Sequence, residues 1–159
     1  MNPRWWLIPL TLAVALMLAM VPLPDAAAPF WPDWVTLVAL YWAMALPQRF
    51  GLTFAWIAGI LLDVSQGALL GQNAIGTVIV VAFALRYHQR LRVAPIAQQA
   101  LIVTVLLLLK QALVLWTSGL AGRAPETPWL FFAAPLTALL FWPLLFVVLR
   151  DLRRRYQVA

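Results

Sequence analysis

The sequence predicts an all-α integral membrane protein, a single domain over residues 1–159 with six transmembrane helices and both termini in the cytoplasm. Three observations predict it. Of the 159 residues, 65% are hydrophobic and only 10% charged, where soluble domains carry about 45–50% and about 25%. Apolar runs of near-membrane length alternate with Pro- and Gly-marked joints. The basic residues fall in every second joint, not at random. Six helices of about 20 residues use about 120 positions, leaving about 39 for loops and tails and no room for an extramembrane domain. A soluble enzyme and a disulfide scaffold are excluded. With no Cys, thiol nucleophiles, thiolate metal sites and haem attachment are excluded too. The pI near 11.2 invites a nucleic-acid reading, but the charges lie between apolar runs, which favours a membrane surface.

Taken in order, the spans cover about 5–21, 32–47, 52–70, 73–87, 95–117 and 129–149. The first, fifth and sixth are long enough to cross alone. The second and fourth are short, so flanking residues complete the crossing or the bilayer thins. The third is apolar apart from Asp63. Pro22-Leu-Pro24 and Pro29-Phe-Trp-Pro32, then Pro47 to Gly51, Gly67 to Gly76, Pro95, and Gly119 to Pro128 mark the joints. The first run, opened by Arg4 and followed by Asp25-Ala-Ala-Ala, has the look of a signal peptide. Its length of about 17 residues exceeds the usual 7–15-residue apolar region, so it is read as a retained span.

Orientation follows from charge. With the N-terminus inside, the cytoplasmic segments hold Arg4, Arg49, Arg86, Arg90, Arg92, Arg150, Arg153, Arg154 and Arg155, nine of the eleven basic residues. The outer loops hold Asp25, Asp33 and Glu126 against Arg123. Trp5 and Trp6 fall at the inner boundary and Trp31, Trp34, Trp116 and Trp129 at the outer one. Trp42, Trp56 and Trp142 lie deeper and are expected to pack between helices.

Asp63 and Lys110 are the two charges inside spans, where each costs about 2.5–3.5 kcal/mol on insertion scales. Asp63 lies about 11 residues, roughly 17 Å, from the inner end of its span; Lys110 lies about 14 residues, roughly 21 Å, into its own. They are expected to face each other, or to share a polar pocket in the outer half with Ser65, Gln66, Gln72, Asn73 and Gln111. Such a pair reads as an ion pair fixing helix register, as a partner or ligand pocket, or as an ion path. Gly51, Ala55 and Gly59 recur every fourth residue, a stripe that lets helices approach closely, and Asp63 extends the row. Gly67 and Gly71 repeat the spacing at the span's end, where a turn explains them equally well. The clusters Arg86–Arg92 and Arg150–Arg155 set topology and attract anionic lipid or a cytoplasmic protein. His88 stands alone, without a second candidate metal ligand. No phosphate-binding loop, zinc motif or Ser/His/Asp set is present, and intramembrane proteolysis needs more than the single Asp63. The chain therefore reads as a non-enzyme with no cofactor and no metal.

Residues 29–47, Pro-Phe-Trp-Pro-Asp-Trp-Val-Thr-Leu-Val-Ala-Leu-Tyr-Trp-Ala-Met-Ala-Leu-Pro, resemble the MreD family of rod shape-determining proteins: Pro32-Asp33 opens the second span, Tyr41-Trp42 stands near its end and Pro47 closes it. Gly51, the Gly59-x-x-x-Asp63 signature and Gly67-x-x-x-Gly71-Gln-Asn73 resemble the same family. The specific motifs cover residues 29 to 76, so Lys110 gains no support from them, and Trp31 stands where the family often has Arg. The resemblance implies a non-catalytic inner-membrane subunit of the cell-elongation complex. It implies direct association with MreC, work alongside MreB, RodA and a penicillin-binding transpeptidase in lateral peptidoglycan synthesis, and a fold similar to the substrate-binding subunits of energy-coupling-factor transporters. A small-molecule transport subunit is the alternative, and a lipid-handling or ion-conducting protein a third reading.

Overall fold

The structure, a computed structural model, describes residues 4–158. Those residues form seven α-helices and two one-turn 3-10 segments, with no strand among them. The helices are α1 (Leu7–Ala19), α2 (Trp34–Ala45), α3 (Leu52–Gln66), α4 (Gln72–Arg86), α5 (His88–Val93), α6 (Ile96–Leu120) and α7 (Ala133–Arg155).

α2 is the axis of the bundle. Every residue from Val35 to Met44 is buried, so it is apolar all round rather than striped, as a helix enclosed on every side must be. It touches α1, α3, α4, α5 and α7. Asp33 caps its N-terminus, accepting from the Thr36 backbone N–H at 3.2 Å and the Thr36 hydroxyl at 2.7 Å. Leu46 and then Pro47 end it, since proline disfavours helical geometry in the residue before it. The 12 residues of α2 rise about 18 Å, well short of a hydrocarbon core of about 30 Å. Its enclosure by other helices means that its sides meet protein rather than lipid.

The outer helices bury one stripe each. α1 turns Ile8, Thr11, Leu12 and Ala15 inward, and the Thr11 hydroxyl accepts from the Trp42 indole N–H at 2.9 Å. α7 buries Pro135, Ala138, Trp142 and Leu149. The opposite faces are apolar and exposed: Leu10, Val14 and Met17 on α1, Leu101, Val105 and Leu109 on α6, Leu140, Leu144 and Val148 on α7. α6 and the segment Pro128–Arg155 are long and apolar enough to cross a membrane, and only 33% and 22% of their most apolar windows are buried inside the protein. A core helix of a soluble protein is buried instead. Exposed apolar surface on this scale calls for a lipid solvent.

Several boundaries differ from expectation. The third span ends at Gln66 rather than residue 70, because Gly67 adopts φ +62° and turns the chain out of the helix. The Arg86–Arg92 segment is no plain loop: α5 forms there, pinned by Leu91 inside and by the Gln99 amide donating to the Leu91 carbonyl at 2.6 Å. The last helix opens with a 3-10 turn at Pro128–Phe132 and runs through the basic cluster to Arg155. Trp42 and Trp142 are fully buried as expected, but Trp56 is 44% exposed and faces away from the other helices.

The basic residues gather at one end. The Arg4 guanidinium donates to the Tyr156 carbonyl at 3.3 Å, Arg49 sits 4.5 Å over the Trp5 ring, and Arg153 reaches the Ala45 carbonyl at 3.5 Å. The first and last described segments therefore meet at that end. Asp33, Gly67, Gln72, Asn73 and Arg123 are among the residues that line a cavity at the other.

Candidate functional site

The acidic end of the bundle holds a cavity of about 690 Å³ between the segments after α1 and α3, the C-terminal half of α6 and the start of α7. Its polar lining is Asp33, Gln66, Gln72, Asn73, Gln111, Ser118, Arg123 and Thr127; Trp31, Leu62, Leu130 and Phe131 are among its apolar walls. Cavities of this size, mostly apolar with a few converging polar groups, are the usual form of ligand sites.

Beneath it lies a clasp that explains the glycine-rich motif. α3 and α4 pack more extensively than any other pair. The approach is closest at Gly59, where a Cβ would come within 2.3 Å of the Ala74 Cα. Gly67 ends α3 in the left-handed region and Gly71, at φ +93°, starts α4. Asp63, fully buried, then reaches across. Its carboxylate accepts from the backbone N–H of Gly71 and of Asn73, each at 2.9 Å, from the Asn73 amide at 3.0 Å and from the Ala74 N–H at 3.4 Å. The first N–H groups of any helix lack partners within it and carry positive partial charge, so a carboxylate there both satisfies donors and balances the dipole. Gly59, Asp63, Gly67, Gly71 and Asn73 act as one device, an N-cap donated by the preceding helix.

The expected pairing of Asp63 with Lys110 is not what the structure contains. Lys110, 2% exposed, forms its ion pair with Asp33, and its ammonium also donates to the Thr36 hydroxyl at 2.6 Å. Gly76 makes room for the lysine stem; a Cβ there would meet its Cγ at 2.7 Å. The physical reason is competition for acceptors. The backbone donors of α4 engage both oxygens of Asp63, while the flexible lysine stem lets its head reach toward the membrane boundary, where the α2 cap supplies a second carboxylate. Asp63 accordingly forms part of the cavity's support and not its lining. Ser65 and Gln66 divide similarly: Ser65 bonds back to the Leu62 carbonyl at 2.8 Å, and Gln66 faces the cavity. Gln72 ties α4 to α6 through the Val114 carbonyl at 2.8 Å, the Thr117 hydroxyl at 2.9 Å and the Ser118 hydroxyl at 2.6 Å.

Of the remaining predicted residues, Pro32 lines the cavity while Gly51 has open space around it. Tyr41 stacks edge-on against Phe146 at 5.6 Å, at the opposite end. Arg86, Arg90, Arg92, Arg154 and Arg155 are exposed and Arg153 is half-buried. His88 bonds the Leu85 carbonyl at 2.7 Å. The sequence reading missed Thr36 and the space that Gly76 leaves for Lys110. The Asp-x-x-Thr spacing of Asp33 and Thr36 is a capping signal from which the first was within reach.

A family profile described as rod shape-determining protein MreD matches residues 2–152. The chain belongs to the MreD family. It is similar to the rod shape-determining protein MreD of Haemophilus influenzae, 25% identical over 158 residues, covering 98% of this chain and 95% of the relative. No solved structure matches it. Membership together with the apolar helices makes it a rod shape-determining membrane protein. In this MreD-family chain, the motif residues Pro32, Asp33, Gly59, Asp63, Gly67, Gly71 and Asn73 divide between the cap of α2, the α3–α4 clasp and the rim of the larger cavity, while Tyr41 lies at the opposite end and Gly51 in open space.

Proposed function

We propose that this chain is a non-catalytic inner-membrane subunit of the rod complex. It crosses the membrane six times with both ends in the cytoplasm and binds MreC directly. Through that contact it works with MreB, RodA and a penicillin-binding transpeptidase in lateral peptidoglycan synthesis. The observation that carries the reading is the family match over residues 2–152. The fold we propose is a bundle similar to the substrate-binding subunits of energy-coupling-factor transporters, and the alternation of basic and acidic segments supports its topology.

The outer cavity is the part of the bundle best suited to receive a membrane-proximal segment of MreC, which carries a periplasmic domain. The stripe Gly51-Ala55-Gly59 is less suited, because Ala55 is buried and α4 already occupies Gly59. A transmembrane helix of MreC has exposed apolar faces of α1, α6 and α7 available instead. The basic end faces anionic lipid and MreB.

The test is co-purification. The chain, tagged at its C-terminus and extracted in mild detergent, is expected to bring MreC down in near-stoichiometric amount. Asp33→Ala or Gln72→Ala, at the cavity, is expected to weaken that association. An ATP-hydrolysing module or a bound metabolite in place of MreC would overturn the reading in favour of a transport subunit. MreC retained fully by both cavity variants would move the contact elsewhere.

A further inference from the structure

The basic end holds a second, smaller cavity that the rod-complex reading leaves unused. A crevice of about 160 Å³ opens between α2, α5 and α7, lined by Tyr41, Met44, Arg92, Phe146, Arg150 and Arg153. The spacing of Phe146, Arg150 and Arg153 on α7 sets a ring and two guanidinium groups on one stripe, and α5 brings Arg92 from the other side. Arg150 stacks 5.8 Å over the Phe146 ring. Its Nε is buried without a hydrogen-bond acceptor, and the nearby Asp151 oxygen stands 3.9 Å away on a side chain that is 58% exposed. Arg153 spends one N–H on the Ala45 carbonyl at 3.5 Å. Tyr41 lies within electrostatic reach of all three guanidinium groups.

Three like charges around one crevice repel unless an anion sits among them. Guanidinium groups match phosphate geometrically, offering paired N–H donors to paired oxygens. The volume equals about five waters, enough for one phosphate group and too little for a helix about 10 Å across. Basic pockets between transmembrane helices on the cytoplasmic side are a recurring means of holding anionic headgroups. The apolar walls, Met44 and Phe146, suit the glycerol end of such a headgroup.

We propose that this crevice is a phosphate-binding site, with Arg92, Arg150 and Arg153 as its donors and an anionic phospholipid headgroup or free phosphate as its occupant. It deepens the reading of the basic end as a lipid-facing surface, and rests on placing that end at the inner face of the membrane. Binding of MreC plays no part in it.

The experiment uses the full chain in a zwitterionic detergent and follows thermal unfolding by tryptophan fluorescence during titration with short-chain phosphatidylglycerol, matched phosphatidylcholine or inorganic phosphate. The expected result is stabilisation of the parent chain by phosphatidylglycerol and not by phosphatidylcholine. Apparent affinity should fall about tenfold or more in R92Q/R153Q and change little in R90Q/R154Q, which removes the same charge from outside the crevice. R92K/R153K, keeping charge but losing the fork, should fall between them. Stabilisation by inorganic phosphate with the same arginine dependence supports the site and makes the free anion its ligand; response to phosphatidylglycerol alone makes it the headgroup. Equal losses in both glutamine pairs, or equal responses to the two lipids, would overturn the proposal in favour of diffuse surface attraction. Should R92Q/R153Q not fold, R92Q alone carries the test. Co-purification of MreC is followed on the same variants: its loss from the parent chain would strike the rod-complex reading, and its retention beside a lost lipid response separates the two.

Discussion

The two buried charges have partners that differ in kind, and the difference decides what each does. Asp63 is satisfied mainly by backbone, so its loss strands several donors at the start of α4 at once. Asp63→Ala is expected to destabilise by about 2–4 kcal/mol, read as a lower unfolding temperature, and Asp63→Asn to recover part of the loss because one amide oxygen still accepts. Lys110 is satisfied by a side chain that opens onto the cavity. Here a double-mutant cycle is the informative measurement: Lys110→Met and Asp33→Asn should each destabilise, and the pair together by less than the sum, leaving a coupling of about 1–3 kcal/mol. A coupling near zero would mean that the two groups stabilise the fold independently. Both charges were legible in the sequence as costly and therefore partnered. Their partners were not, because depth arithmetic along straight helices resolves about one turn and says nothing of which way a side chain faces. Asp63 and Lys110 agree in depth and still bond elsewhere.

Among the helices, glycine separates into positions that matter for space, for backbone freedom, or for neither. Gly59→Ala forces a methyl into the Ala74 backbone, which cannot yield as a flexible side chain does, and is expected to cost about 3 kcal/mol or more. Gly51→Ala meets nothing within 4 Å at an ordinary φ of −93°, and should stay within about 0.5 kcal/mol. Comparing the two unfolding temperatures tests the clasp without touching a charge. The four-residue small-residue spacing marked α3 as a close-packing helix, which holds at Ala55 and Gly59 and not at Gly51, and the resemblance gathered Gly67, Gly71 and Asn73 near it. That the three glycines serve one cap, and that α5 forms among the arginines, depends on tertiary partners such as Asp63 and Gln99 that local pattern does not display. Apolar periodicity was equally silent about α2, since a helix buried on every side has no stripe to detect.

Across the whole molecule, the separation of a basic end from an acidic one is the property on which the proposed orientation rests. The absence of cysteine makes the natural chain its own background for labelling. In the proposed topology Arg123→Cys, at the outer cavity, reacts with a membrane-impermeant maleimide in spheroplasts. Arg154→Cys reacts only after permeabilisation. The reverse pattern, or labelling of both in intact spheroplasts, would defeat the six-span arrangement. That the chain is all-helical and apolar, with its charges sorted between two ends, was legible in the sequence because lipid imposes this on the whole chain at once. The cavities were not, since a cavity is made where helices fail to meet.

The brevity of α2 has an electrical consequence. Cavities open at both of its ends, with about 18 Å of helix between them, whereas α6 and α7 extend beyond a hydrocarbon core of about 30 Å. In the proposed topology, and where those cavities hold water, the membrane voltage drops mainly along α2, and the field there is steeper than in the surrounding lipid by a factor of about 30/18. Asp33 marks the outer limit of that drop and the Arg153–Ala45 contact the inner one. Charge displaced between these two ends would thus do the work of a full transmembrane passage over little more than half the distance.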